Sequence, residues 1–134
     1  DGIFQLLVFD DAVWTASGDR TIRVWALNGE HLMLCEGHEK AVSYLVAVKG
    51  RVWSGSHDSS IRIWTEFGFN EKTNASLNVG AITCFLVVGD VVWVGSAGGR
   101  ILVLDFDGEC LFTCGGHIGW VHAIRQLSDE VWSG

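Results

Sequence analysis

The chain has 134 residues, 49% of them hydrophobic, and a net charge of −7 with only nine Lys and Arg; that is the length of one domain with enough apolar side chains for a core. The acidic balance and the lack of any basic run argue against a phosphate-binding surface for nucleic acid. The longest apolar stretches are broken by charges and are too short to insert across a membrane. No secretory signal is visible, and the opening at Asp1 without an initiator methionine predicts a fragment or processed product.

Along the chain, apolar and polar residues alternate in short runs, the period-two signature of half-buried strands. A first tight turn at Asp10-Asp11 leads into VWTASGDRTIRVW from Val13, followed by an outer strand near His31–Cys35. The next unit is the clearest. Ala41–Val48 is an inner strand, Lys49-Gly50 a turn, Arg51–Ser56 a second strand, His57–Ser59 a second turn and Ser60–Thr65 a third strand. Glu66–Thr73 reads as a longer polar connection, and an outer strand is expected near Asn74–Leu77. The third unit has its turn at Gly89-Asp90, then VWVGSAGGRILVL from Val92 and an outer strand near Cys110–Cys114; the fourth has a turn at Ser128-Asp129 and ends in VWSG from Val131. These turn pairs tolerate hairpin geometry. The stretch 19–38 could hold a helix on propensity alone, but β-branched and aromatic residues alternating between Asp/Gly turns favour strands. The fold class predicted is all-β.

Trp14, Trp53, Trp93 and Trp132 open the four related phrases at steps of 39, 40 and 39 residues. A fixed period of roughly 40–45 residues with four strands per unit predicts a β-propeller. The repeats run approximately over 1–36, 37–77, 78–114 and a truncated 115–134. Three full repeats and two further strands do not close a ring, since propellers have roughly 4–8 blades, so the chain reads as a segment of a longer propeller, with self-association as the alternative. The recurring tryptophans sit mid-strand beside valine, which suits packing between blades, where a large aromatic buries about 150–250 Å². Exposed stacking platforms for carbohydrate are the weaker reading.

In the second repeat, Gly37-His38 precedes the inner strand, Asp58 sits in the turn after the second strand and Trp64 ends the third. This arrangement resembles the WD-repeat β-propeller family, and the resemblance extends over nearly the whole chain. It implies a partial propeller of four-stranded antiparallel blades, with a buried network in which Trp64 donates to a strand hydroxyl, the hydroxyl meets His38 and His38 meets Asp58. Spacing suggests Ser54 as that hydroxyl, with Ser56 as the alternative. The first repeat supplies Thr15, Asp19 and Trp25 but no Gly-His. The fourth supplies Gly116-His117 and Ser133 without the Asp and Trp. The third has Asn78-Val79, Gly98 and Leu104 in these places and is expected to rely on apolar packing.

Ser54, His38 and Asp58 are also the residue types of a nucleophilic triad, but a structural role in a repeated unit is the better reading and no catalytic residue is assigned. There is no phosphate loop, HExxH or nucleophile elbow. The histidines and Cys35, Cys84, Cys110 and Cys114 lack metal-ligand spacing, so no metal or other cofactor is expected. The cysteines read as small buried hydrophobes in a reducing compartment, and the acceptor pattern Asn74-Ala75-Ser76 as unused. The resemblance implies a non-catalytic scaffold or adaptor that binds proteins or peptides on its loop face, intracellular and cytoplasmic, with Arg20, Glu39, Lys40, His57, Arg100, Ile118 and Trp120 as contact candidates. The alternative is a targeting or substrate-recognition segment of a larger signalling enzyme such as a kinase, lipid phosphatase or ubiquitin ligase.

Overall fold

A computed structural model describes residues 1–75 and 77–134. The described residues form fourteen strands and no helix, so no helix is long and apolar enough to cross a membrane. The first blade holds β1 (Ile3–Phe9), β2 (Ala12–Ser17), β3 (Ile22–Ala26) and β4 (His31–Cys35), paired antiparallel in chain order. The second holds β5 (Val42–Val48), β6 (Arg51–Ser56), β7 (Ile61–Trp64) and β8 (Asn70–Asn74); the third β9 (Ile82–Val88), β10 (Val91–Ser96), β11 (Ile101–Leu104) and β12 (Cys110–Cys114). A two-stranded sheet, β13 (Ile124–Leu127) and β14 (Glu130–Ser133), stands where a fourth blade begins.

Turn chemistry sets these hairpins. Asp10 and Asp11 have φ of 50° and 56°, and Lys49 and Gly50 have 48° and 75°, the paired left-handed residues that match strand twist in two-residue hairpins. The second outer strand lies earlier than the sequence suggests. Thr65 N–H bonds to Phe69 O at 2.9 Å and Gly68 N–H to Thr65 O at 3.0 Å, which closes a short turn and starts β8 at Asn70. The supposed polar connection 66–73 is therefore largely turn and strand, and Ser76, part of the outer-strand and glycosylation readings, lies outside the described residues.

Inner strand packs beside inner strand, β1 on β5, β5 on β9 and β9 on β13, so the blades stand side by side and the core lies between them. Ala12, Trp14, Ala16, Ile22 and Val24 of the first blade meet Val42, Leu45, Val52 and Trp64 of the second. Trp53, Ile61 and Ile63 on the other face of the second blade meet Ile82, Phe85, Val92, Val94 and Leu104 of the third. Cys84 and Ile101 then meet Val121 and Ile124. Trp14 and Trp53 are fully buried and Trp93 is half-buried against the next sheet, whereas Trp132 is 60% exposed because no described blade lies against it. Neither Trp14 nor Trp53 is open to a sugar.

Truncating the indole between the second and third blades should be severe. Trp53→Ala is expected to lower the unfolding free energy by about 3–5 kcal/mol, read as a lower urea midpoint.

Candidate functional site

The best-defined polar cluster is buried in the second blade. Trp64 Nε1–H donates to Ser54 Oγ at 2.8 Å, and Ser54 lies 2.7 Å from His38 Nε2. With the serine oxygen accepting from the indole, its proton goes to Nε2, which fixes the neutral His38 tautomer with Nδ1–H donating to Asp58 Oδ2 at 3.0 Å. Asp58 also accepts from Glu39 N–H at 2.9 Å and, through Oδ1, from the Ser60 N–H and hydroxyl at 2.8 and 2.6 Å. The hydroxyl in the centre is thus Ser54. Ser56 does another job: it bonds to Lys40 O and Ala41 O and accepts from Asp58 N–H.

Gly37 sets the loop that delivers His38. Its φ is 142°, and an added Cβ would fall 2.5 Å from Arg62 Nη1, while Gly37 O accepts from Arg62 Nη2 at 2.7 Å. Gly116 adopts the same φ of 142°, and His117 Nε2 lies 2.7 Å from Ser133 Oγ, so the fourth unit builds half of the network, solvent-exposed. The first blade builds another part: Trp25 Nε1–H donates to Thr15 Oγ1 at 3.2 Å, and Asp19 accepts from Thr21 N–H and hydroxyl at 3.0 and 2.6 Å. The Thr21 hydroxyl lowers the Asp19 pKa.

The third blade makes the same tie with backbone alone. Gly98 N–H donates to Val79 O at 3.0 Å, Val79 and Leu104 are buried, and a Cβ on Gly98 would collide with Val79 O. An aspartate could not be accommodated there without moving the loop.

Burial pushes the His38 pKa down, against the pull of Asp58 and with a smaller push from Arg62. Burial pushes the Asp58 carboxyl up, but the Ser60 and Glu39 donors and His38 outweigh it and hold the pKa at about 2. The geometry superficially meets the triad pattern. Chemically it is closed: Ser54 is fully buried and its oxygen already receives the indole proton, leaving no path for a substrate. Among the described residues no group of three or more His, Cys, Asp or Glu could hold a metal ion. The cysteines divide. Cys35 and Cys84 are buried, with burial raising both thiols, Cys35 to about 11. Cys110 is exposed on outer strand β12, contrary to its reading as a buried hydrophobe.

The loops between second and third strands lie beside the loop that leads into the next blade. Asp19, Arg20 and Thr21 line a cleft of about 150 Å³ with Glu36, Gly37 and His38, and Gly99 sits against the carbonyls of His117 and Gly119. This brings exposed Arg20 beside the loop Glu36–His38 that leads to exposed Glu39 and Lys40, and exposed Arg100 beside the loop of Ile118 and Trp120. Ile118 is wholly exposed and Trp120 is 57% exposed, its ring 5.8 Å from that of His122. His57 is half-buried, its ring 6.1 Å from Phe4. Ser60 as a second donor to Asp58 was missed by sequence reading; its position two residues after a turn aspartate, repeated by Thr21 after Asp19, was the available signal.

Fold and site together define a β-propeller segment whose second blade is tied at one end by a buried His–Ser–Trp–Asp network. The profile of the family described as WD domain, G-beta repeat (WD40) matches residues 29–65, which include all four network residues. The computationally designed Ika8 protein is 28% identical over the whole of this chain and 43% of its own, with a TM-score of 0.85. The designed Ika4 protein is 28% identical over the whole chain and 85% of its own, with a TM-score of 0.84. The WD40 β-propeller domain of Doa1 is 25% identical over 96% of this chain and 45% of that one, with a TM-score of 0.80. This chain thus spans less than half the length of two of the three. No curated protein matches the sequence. The matched repeat and the propeller blades make the chain similar to the WD-repeat family. WD40 domains generally bind other proteins and are generally non-catalytic.

Ser54→Ala leaves buried Trp64 Nε1 and His38 Nε2 without their partner and should cost about 1–3 kcal/mol per unsatisfied group, measured by urea unfolding. Both His38 and Asp58 have folded pKa values below their unfolded ones. Their contributions are therefore complete at neutral pH; the His38 part is lost as pH falls below about 6.5 and the Asp58 part as pH falls from about 4 towards 2. The urea midpoint should drop between pH 7 and pH 5, and His38→Asn should flatten that drop.

Proposed function

We propose that the chain is a non-catalytic scaffold or adaptor whose loop face binds an acidic peptide carrying a large apolar side chain. The observation that carries this reading is Arg20. Its φ is 75°, and the corresponding turn positions hold Ser59 at 69° and Gly99 at 74°, so an arginine occupies a left-handed site that suits glycine. A left-handed non-glycine residue costs about 1–2 kcal/mol, and such strain is retained where a side chain serves a purpose. Arg20, Lys40 and Arg100 supply cations on an otherwise acidic protein, and Ile118 and Trp120 supply apolar contact. Arg and Trp are enriched among residues that dominate binding energy. The four free thiols, none in a disulfide, support an intracellular, cytoplasmic setting.

Peptides selected from a random display library on this chain should be acidic and carry an aromatic or aliphatic anchor. Arg20→Gly should weaken them about tenfold while raising the melting temperature, because it relieves the turn. Trp120→Ala should weaken them at least as much without altering unfolding. Unchanged affinity in both variants would remove the loop face from the function.

A further inference from the structure

The turns that join third and fourth strands stand at the end of the blades away from the loop face, and in each full blade they close the same way. Ala26 N–H bonds to Glu30 O and Gly29 N–H to Ala26 O; Thr65, Phe69 and Gly68 repeat the pattern, as do Asp105, Glu109 and Gly108. Phe67 and Phe69 therefore occupy the positions of Asp107 and Glu109, and Glu66 that of Phe106. The inner hairpins correspond as well: Asp10, with φ of 50°, stands where Lys49, with φ of 48°, stands one blade later.

Between the second and third blades this end is paired internally. Lys49 Nζ lies 5.4 Å from the centre of the Phe106 ring. Arg51 pairs with Glu71 at 2.9 Å and reaches Asp107 at 3.9 Å, while Lys72 pairs with Glu109 and donates to Asp107 O. The junction between the first and second blades is built alike but furnished differently. A Cβ on Gly68 would touch Cys35 and Met33 of β4, as one on Gly108 would touch Ile63, Asn74 and Lys72. Lys49 and Phe106 give way to two carboxylates, Asp10 and Glu66, and in strand register Arg51 and Lys72 give way to Ala12 and Met33. Neither Asp10 nor Glu66 makes an ion pair with a described residue. Phe67 and Phe69 are 66% and 71% exposed. Their turn belongs to the middle blade, between two described neighbours, so its exposure does not depend on what adjoins the first or last strand.

We propose that this junction is a second docking surface, which takes an arginine-bearing segment of a partner protein, its guanidinium groups meeting Asp10 and Glu66 and lying over Phe67 and Phe69. Charge complementarity selects the occupant. Two carboxylates hold the positions at which the next junction brings a cation onto a ring, and like charges so placed repel until a cation stands between them. The exposed rings select arginine over lysine, because a planar, weakly hydrated guanidinium both stacks on an aromatic face and pairs with a carboxylate. The net charge of −7 favours the approach of such a segment. The surface lies at the opposite end of the blades from Arg20 and Trp120, so the scaffold would hold two partners of opposite charge.

The test is fluorescence anisotropy of a labelled peptide alternating arginine and glycine, titrated with this chain to about 0.5 mM at about 0.15 M salt, beside a lysine–glycine peptide of equal length. The expected result is saturable binding of the arginine peptide, about two- to fivefold tighter than of the lysine one. Phe67→Ser and Phe69→Ser should each weaken the arginine peptide about two- to fivefold and shrink that preference, with the urea midpoint unchanged. Asp10→Asn, which keeps a residue suited to left-handed φ, and Glu66→Gln should weaken both peptides alike, by about twofold or more. Asp90→Asn, at an exposed carboxylate on the inner hairpin of the third blade, should change nothing. No binding, equal affinity for the two peptides, no effect of the phenylalanine changes, or an effect of Asp90→Asn as large as that of Asp10→Asn would overturn the proposal. The loop-face reading stands or falls separately, since it is read with acidic peptides through Arg20 and Trp120.

Discussion

A four-stranded sheet with apolar side chains on both faces cannot bury them by itself; each blade here is stable only against its neighbours. The second blade shows the dependence most plainly, with Leu45, Val52 and Trp64 turned into the first blade and Trp53, Ile61 and Ile63 into the third. Apolar burial of this kind supplies roughly 25 cal/mol per Å², and a fully buried tryptophan is among its largest single contributors. The same requirement explains why identical sequence positions have different exposures in different blades. Nothing about Trp132 as a residue distinguishes it from Trp53; only its neighbours do.

Packing between blades does not by itself fix the loops, and the chain ties them in two physically different ways. In the second blade the tie is made by side chains, with His38, Ser54, Asp58 and Trp64 satisfying one another's buried polar groups. In the third it is made by backbone bonds from Gly98 to Val79 and from Ala97 to Ala81, the first possible because no Cβ intervenes, with Leu104 and Val79 adding apolar contact. The side-chain version carries a sensitivity to acid, since both His38 and Asp58 are held below their usual pKa values. The backbone version carries none. A stable arrangement of the loops is what allows exposed Arg20, Lys40, Arg100 and Trp120 to stand at set positions on one face.

Much of this was legible beforehand. The strands Arg51–Ser56, His31–Cys35 and Cys110–Cys114 fall where alternation and turn residues place them, because hairpin pairing is local and its turn chemistry is written in adjacent residues. β8 was misplaced: the turn 65–69 depends on a hydrogen bond closed by Gly68 in an otherwise unremarkable polar run. Ser54 and Ser56 could not be separated by spacing alone, as both are small hydroxyls on one face of one strand. The difference lies in what stands opposite each, an indole for Ser54 and two carbonyls for Ser56.

What the sequence determined by itself was periodic and local: a repeat near 40 residues, alternation within each strand, the turn pairs and the Gly-His, Asp and Trp positions of one repeat. These follow from short-range sterics and from the face on which consecutive side chains emerge. Tertiary structure decided the rest. It made Trp53 a core residue and left Trp132 exposed, recruited Ser60 to Asp58, gave the third blade its backbone tie and brought the loop of Arg100 beside Trp120. Each of these depends on what a neighbouring blade or strand places within a few ångströms, and that information belongs to no single segment of the chain.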